Sequence, residues 1–164
     1  MNVTSNTGNT KRGITCKIPN EFGRFLGELL QPFDTADYQW YNGGEEAYFT
    51  NTGTLAETLF PEQVFGMDGV QLIDIVENNE YYVIFADLKA FPKGSKVVDV
   101  QTYEEYVKSD CQFVLIIVDC VHVAIYCKDQ EKLTELYLNA QSHGYTNVQY
   151  TTDENDFRTK MTAW

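Results

Sequence analysis

The stretch FVLIIVDCVHVAIYCKD (113–129) is the most apolar part of the chain, yet it carries Asp119, Cys120, His122 and Cys127, with Cys111 just upstream. Those residue types could hold a metal ion or supply a nucleophilic thiol. Zinc sites bring Cys and His in pairs two to four residues apart, twice over. Cys120 and His122 would share one face of a strand, whereas Cys127 would point to the other. Cys16 is remote and His143 closes a predicted helix, so four ligands do not assemble and no metal or cofactor is expected. A catalytic thiolate needs a positive neighbour and a base within reach. Cys111 follows Ser109-Asp110, and Cys120 sits beside Asp119 with only His122 to compensate. A Cys120–His122 nucleophile stands as a third-ranked reading. Reduced Cys is commonly buried as a small apolar group, so the stretch reads first as the inside of a sheet.

Carboxylates offer other chemistry. Glu45-Glu46 follows a turn, and Glu104-Glu105 opens a helix where capping and the dipole already explain it. Asp153-Glu154-Asn155-Asp156 lacks the glycine and the distal glutamate of a calcium loop. Gly66-Met-Asp-Gly69 has no Lys-Ser/Thr behind it, so it is no phosphate loop. Asp87, with Lys89 close behind, lies near the end of an apolar strand. Strand ends of this kind border ligand sites in open sheets, although a plain ion pair is the simpler role.

Charge and aromatic content point to a partner. From Phe25 to Leu88 there is no Lys, Arg or His, and that span holds twelve acids: Glu28, Asp34, Asp37, Glu45, Glu46, Glu57, Glu62, Asp68, Asp74, Glu77, Glu80 and Asp87. The other twelve acids are balanced by the 12 Lys and Arg, so the whole net charge of −12 belongs to one contiguous segment. Such a surface repels nucleic acid and anionic lipid and attracts basic proteins. Within it, Tyr38, Trp40 and Tyr41 precede Asn42-Gly43-Gly44, a hairpin signal, and Tyr48 follows. Aromatics on both faces of a hairpin would leave one set for a partner. Tyr38, Trp40, Tyr41, Glu45, Glu46 and Tyr48 are therefore the expected docking residues, and Asp87 and Lys89 the expected ligand contacts.

These residues need elements to position them. Residues 1–10 read as a disordered tail and 11–164 as one α+β domain, with two βαββα-type halves, 11–80 and 81–164, as the alternative. RGITCKI (12–18) is a strand. Asn20 caps a helix whose Phe22, Phe25, Leu26 and Leu29 form a stripe, ended by Pro32. DYQWY (37–41) and EEAYFT (45–50) form the hairpin, and a loop with Pro61, Gly66 and Gly69 follows. Asp68 caps a helix to about Asn79, and YYVIFADL (81–88) is a strand. Thr102-Tyr-Glu-Glu105 is a capping box, followed by strands at 111–118 and 121–127. Asp129 caps a helix closed by His143 and Gly144, and YTNVQYT (145–151) is a strand before a last short helix. The sheet is expected to be mixed or antiparallel with helices mainly on one face. Its order over 81–151 is the βαββαβ of ferredoxin-like domains.

Five strings together carry a resemblance: RGITCKIPNEFGRFLGELLQP (12–32), YYVIFADLKAFP (81–92), TYEEYVKSDCQFVL (102–115), VDC (118–120) and TTDENDFRTKMTAW (151–164). The sequence resembles an uncharacterised domain family of spore-forming Gram-positive bacteria from Lys11 to Trp164. The resemblance implies a stand-alone cytosolic protein and carries over no catalytic residue. The start MNVTSNTGNT has no basic-then-apolar signal, and no apolar run approaches a membrane span, so a cytoplasmic location is expected. The expected function is an acidic interaction module that docks a basic partner, inhibitor- or immunity-like in its sharpest form. A ferredoxin-like small-ligand sensor around Asp87 to Gly94 ranks next. An enzyme is the less expected outcome.

Overall fold

The computed structural model describes residues 10–43, 46–50, 57–60, 64–156 and 160–163. Eight strands form one antiparallel sheet: β1 (Lys11–Lys17), β2 (Tyr38–Asn42), β3 (Glu46–Phe49), β4 (Val64–Asp68), β5 (Tyr81–Pro92), β6 (Phe113–Val118), β7 (His122–Cys127) and β8 (Thr146–Thr152). Their order is β4-β2-β5-β6-β7-β1-β8, with β3 also on β5. Helices α1 (Phe25–Leu30), α2 (Gly69–Glu77) and α4 (Gln130–Ser142) pack on one face, and α3 (Tyr103–Lys108) lies against the other. The α+β class with helices mainly on one face is as expected. So is the βαββαβ order from β5 to β8, although β1 is inserted between β7 and β8 and the neighbouring strands all run antiparallel.

Local sequence explains most boundaries. Asp68 accepts from the Val70 N–H and caps α2, and Asp129 does the same for α4 from Glu131 and Lys132. Thr102 and Glu105 form the reciprocal capping box of α3. Gly144, at φ 79, takes the left-handed conformation that ends α4. β6 is fully apolar because both its faces are covered: Phe113, Leu115 and Ile117 join the helix-side core, while Val114 and Ile116 join the core beneath α3.

Three expectations are corrected. The first helix starts at Phe25 rather than after Asn20, because Gly23 bridges to Tyr81 of β5 and holds the chain extended. Phe22 consequently lies outside the buried stripe and is exposed. The hairpin across Asn42-Gly43 does not form. β2 and β3 follow one another along the same edge of β5, from Tyr38↔Pro92 to Asn42↔Leu88 and from Glu46↔Phe85 to Phe49↔Tyr81. A turn signal was overridden by a long partner strand that buries both segments at once. Residues 64–68, expected as loop, form edge strand β4, with Gly66 at φ 103 breaking its regularity. The tail lies outside the described residues except for Thr10. Asp153–Asn155 form a turn, and the three residues after Asp156, where the last helix was expected, also lie outside them.

Candidate functional site

The aromatic strand turns out to be core. Trp40 and Tyr41 alternate across β2, so one ring enters each core: Trp40 is 0% exposed among Phe33 and Phe113, and Tyr41 is 3% exposed and edge-on to Phe65. The Trp40 indole N–H donates to the Thr35 carbonyl at 3.1 Å. Neither ring is available as a docking anchor, which corrects that expectation. The physical reason is that both faces of β2 are covered, Trp40 by the helix-side core and Tyr41 by the core beneath α3. Tyr38 is half-buried and stacked on Phe33, Tyr48 is half-buried, and Glu46 is exposed. Glu45 lies outside the described residues.

The acids behave differently. The base-free segment supplies β2, β3, β4, α1, α2 and the first eight residues of β5, and all of these except α1, which reaches across to α4, lie at the β4–β2–β5 end of the sheet. Asp37, Glu46, Glu57, Asp68, Asp74, Glu77 and Glu80 are exposed there. Among the described residues, none of these has a Lys, Arg or His within ion-pair distance. Asp34 is approached by Lys132 at 3.7 Å, and Glu28 by His143 at 3.7 Å with Tyr145 donating its hydroxyl to the same carboxylate.

Asp87 and Lys89 are brought together, but not at a strand end beside the loop to Gly94. Both side chains point to the α3 face, where Lys89 is 0% exposed and its Nζ lies 2.6 Å from Asp87 Oδ1. Lys89 also lies over the Tyr41 ring, 5.0 Å from its centre. Burial pushes the Asp87 carboxyl up from its usual range, against the opposing pull of Lys89 and of the Ala163 N–H. Asp87 forms the floor of an open cleft of about 330 Å³, walled by Tyr41, Gly43, Asp99, Gln101, Thr102, Lys160 and Thr162. Gly43 fits closely there, because a Cβ would sit 3.0 Å from the Asp87 carboxyl and press on it. Lys89 lies beneath the cleft and does not line it. Sequence reasoning missed Asp99 and the C-terminal wall. The apolar Val100, flanked by polar residues before a capping box, was the available signal.

The thiols divide by burial. Cys16 and Cys111 are pushed up to about 12, and Cys127 to about 11, chiefly by desolvation. Cys120 is half-exposed in the β6–β7 turn, where Asp119 and Cys120 both have positive φ (53 and 71). Its sulfur receives the Tyr82 hydroxyl at 3.1 Å. His122 begins β7, exposed, and no hydrogen bond joins it to Cys120 among the described residues. No group of three His, Cys, Asp or Glu among those residues is placed to hold a metal ion. No helix among them is long and apolar enough to cross a membrane.

Comparison with other proteins agrees with the resemblance. Residues 11–162 match the family model described as "Protein of unknown function (DUF2691)". The chain is 45% identical over 153 residues to the "Uncharacterized protein YncE" of Bacillus subtilis strain 168, covering 93% of this chain and 99% of that protein. No solved structure matches. With the family model spanning almost the whole sheet and both cores, the chain belongs to the DUF2691 family.

Proposed function

We propose that this protein is an interaction module that docks a basic protein partner against the acidic end of its sheet. One observation carries the reading: the exposed, unpaired carboxylates from Asp37 to Glu80 all sit on elements drawn from one base-free segment. Like charges held together without counter-ions repel one another, and a basic surface relieves that repulsion on contact. With Trp40 and Tyr41 committed to the interior, docking relies on charge and on the half-buried Tyr48 and exposed Phe65 at its margin. An inhibitor- or immunity-like task, in which the module masks a basic protein, suits an acidic face of this kind.

The test is an affinity column bearing the native chain, loaded at low salt with lysate of its source cells. Specific retention of a basic protein is expected, with release below a few tenths molar salt as screening shortens to under about 8 Å. The triple variant Glu46→Lys, Asp74→Lys, Glu77→Lys should lose that protein. Retention indifferent to both salt and charge reversal refutes the reading.

A further inference from the structure

We infer that the sheet face beside α3 carries a binding site for a small carboxylate with an apolar body. The site is built mainly on β7, β1 and β8, at the opposite end of the sheet from the acidic docking elements, and does not depend on them.

Cross-strand register lays the residues of this face in rows. Val114, Tyr126, Gly13 and Thr151 form one row, which reaches α3 where the Tyr126 ring meets Tyr103 and Tyr106. The next row is Ile116, Ala124, Thr15 and Gln149, and the one after it is Val118, His122 and Lys17. Ala124 and Thr15 have short side chains, and between bulkier rows they leave a cleft of about 290 Å³. That is close to the lower end of the roughly 300–1,000 Å³ usual for ligand pockets, so it suits a small molecule. Strand β8 bulges at this point: Thr15 pairs with Gln149 but Lys17 with Thr146, and Asn147 takes φ 55 and joins the rim. Bulges re-aim side chains in this way.

The charged groups of the cleft are Lys17, His122 and Asp156, and they are not equivalent. Asp156 is taken: its carboxylate accepts from the Tyr126 hydroxyl at 2.8 Å and faces Arg12 Nη1 at 3.4 Å. Lys17 and His122 stand directly opposite one another on β1 and β7, and both are exposed. Among the described residues, neither side chain has a carboxylate within ion-pair distance or a hydrogen-bond partner. Basic groups so placed repel one another when both are charged. A carboxylate seated between them removes that repulsion and gains charge-assisted hydrogen bonds. Asp156 is held at the Arg12 end of β1, and Lys17 is five residues further along, about 17 Å of strand. Asp119, in the β6–β7 turn, is exposed and does not line the cleft. Glu46 and Asp68, on β3 and β4, stand beyond β5, at least four strand spacings or about 19 Å from β1. That is more than twice the roughly 8 Å screening length at physiological salt.

The body of the ligand has its own place. Ala124, the Thr15 methyl, the Lys17 stem and the half-buried Val118 give apolar contact, while Asn147 and Gln149 add neutral hydrogen-bonding groups at the rim. An amine would meet like charge at Lys17, and an inorganic anion would leave the apolar floor in water.

Calorimetric titration and amide NMR shifts of the full chain, at fixed physiological ionic strength, test this with phenylacetate and hexanoate as probes. Phenylacetamide serves as the uncharged counterpart and acetate as the carboxylate without a body. Saturable binding of at least one probe is expected, with shifts centred on Thr15, Lys17, Ala124 and Gln149. Phenylacetamide and acetate should each bind about tenfold more weakly or worse. Lys17→Gln, at an exposed position, should keep a cooperative melt and weaken binding by about tenfold. Thr15→Phe fills the cleft from a strand position that accepts an aromatic residue, and should abolish binding. Asp74→Asn with Glu77→Gln, on the acidic end, should leave it unchanged. The inference is overturned if neither probe binds saturably, if phenylacetamide or acetate binds as tightly as the probes, or if the shifts centre elsewhere. It is likewise overturned if either cleft variant, melting cooperatively, binds as the native chain does, or if the acidic-end variant loses binding.

Discussion

The two faces of the sheet are built from the same strands but differ in what they bury. Under α1, α2 and α4 the sheet buries aromatic and aliphatic side chains such as Trp40, Leu88, Phe113 and Leu115. On the other face a six-residue helix and the segment Lys160–Ala163 close a smaller core around a buried ion pair, an orphaned Asp99 oxygen and an unpartnered Tyr106 hydroxyl. Both faces exclude water, but among the described residues only the second buries an ion pair. Strand β5 makes the contrast within three residues, since Leu88 points to one face and Asp87 and Lys89 to the other. A face packed with hydrocarbon serves stability, whereas a face that buries charge at a cost is where ligand chemistry can be sited.

Breaking each face in turn sharpens that contrast. The largest effect is expected from Lys89→Met, which strands the Asp87 carboxylate in the core and should cost about 3–5 kcal/mol at neutral pH. Its pH dependence has a definite sign. Asp87 is already raised from 3.8 in the fold, so its contribution to stability is fullest below that value and is lost as pH rises through the folded value. Removing Lys89 raises it further and moves the loss to higher pH. Denaturant unfolding should therefore show the variant recovering toward the native chain between pH 7 and pH 5. Adding Asp87→Leu should restore much of the loss at every pH.

Leu88→Ala, on the opposite face, should cost about 2–5 kcal/mol as a cavity, with the same difference from the native chain at pH 5 and pH 7. A pH-dependent deficit there would abolish the contrast between the faces. Thr102→Ala removes one half of the capping box of α3 and should cost about 1 kcal/mol, loosening the polar face before the apolar one in amide exchange. At the smallest end, Cys120→Ser should change stability by less than about 0.5 kcal/mol. The native chain should expose one thiol to an alkylating reagent near neutral pH, against four after unfolding, because the other three are buried. Rapid labelling of Cys16 or Cys127 would show that the interior strands β1 and β7 open far more readily than their burial implies.

Where local rules act alone, the sequence is legible. Asp68, Thr102, Asp129 and Gly144 each mark an element end because capping involves only a few neighbouring residues. The unbroken apolar run of β6 announces a strand covered on both faces. Asn42-Gly43-Gly44 misleads for the opposite reason: its local preference for a hairpin is small beside the burial gained when β2 and β3 line up along one twelve-residue strand. The same competition draws Trp40 and Tyr41 inward and makes a strand of Val64–Asp68.

By itself the sequence determined the α+β class, the caps of α2, α3 and α4, the burial of Cys16, Cys111 and Cys127 and the gathering of unbalanced acids in one segment, since these follow from composition, periodicity and neighbours a few residues apart. Only the tertiary structure decided which strands share an edge and how Asp99, Gln101 and Thr162 meet over Asp87. Those contacts join residues up to 75 positions apart in the chain. No local pattern encodes them, because their energy comes from burying distant surfaces against one another.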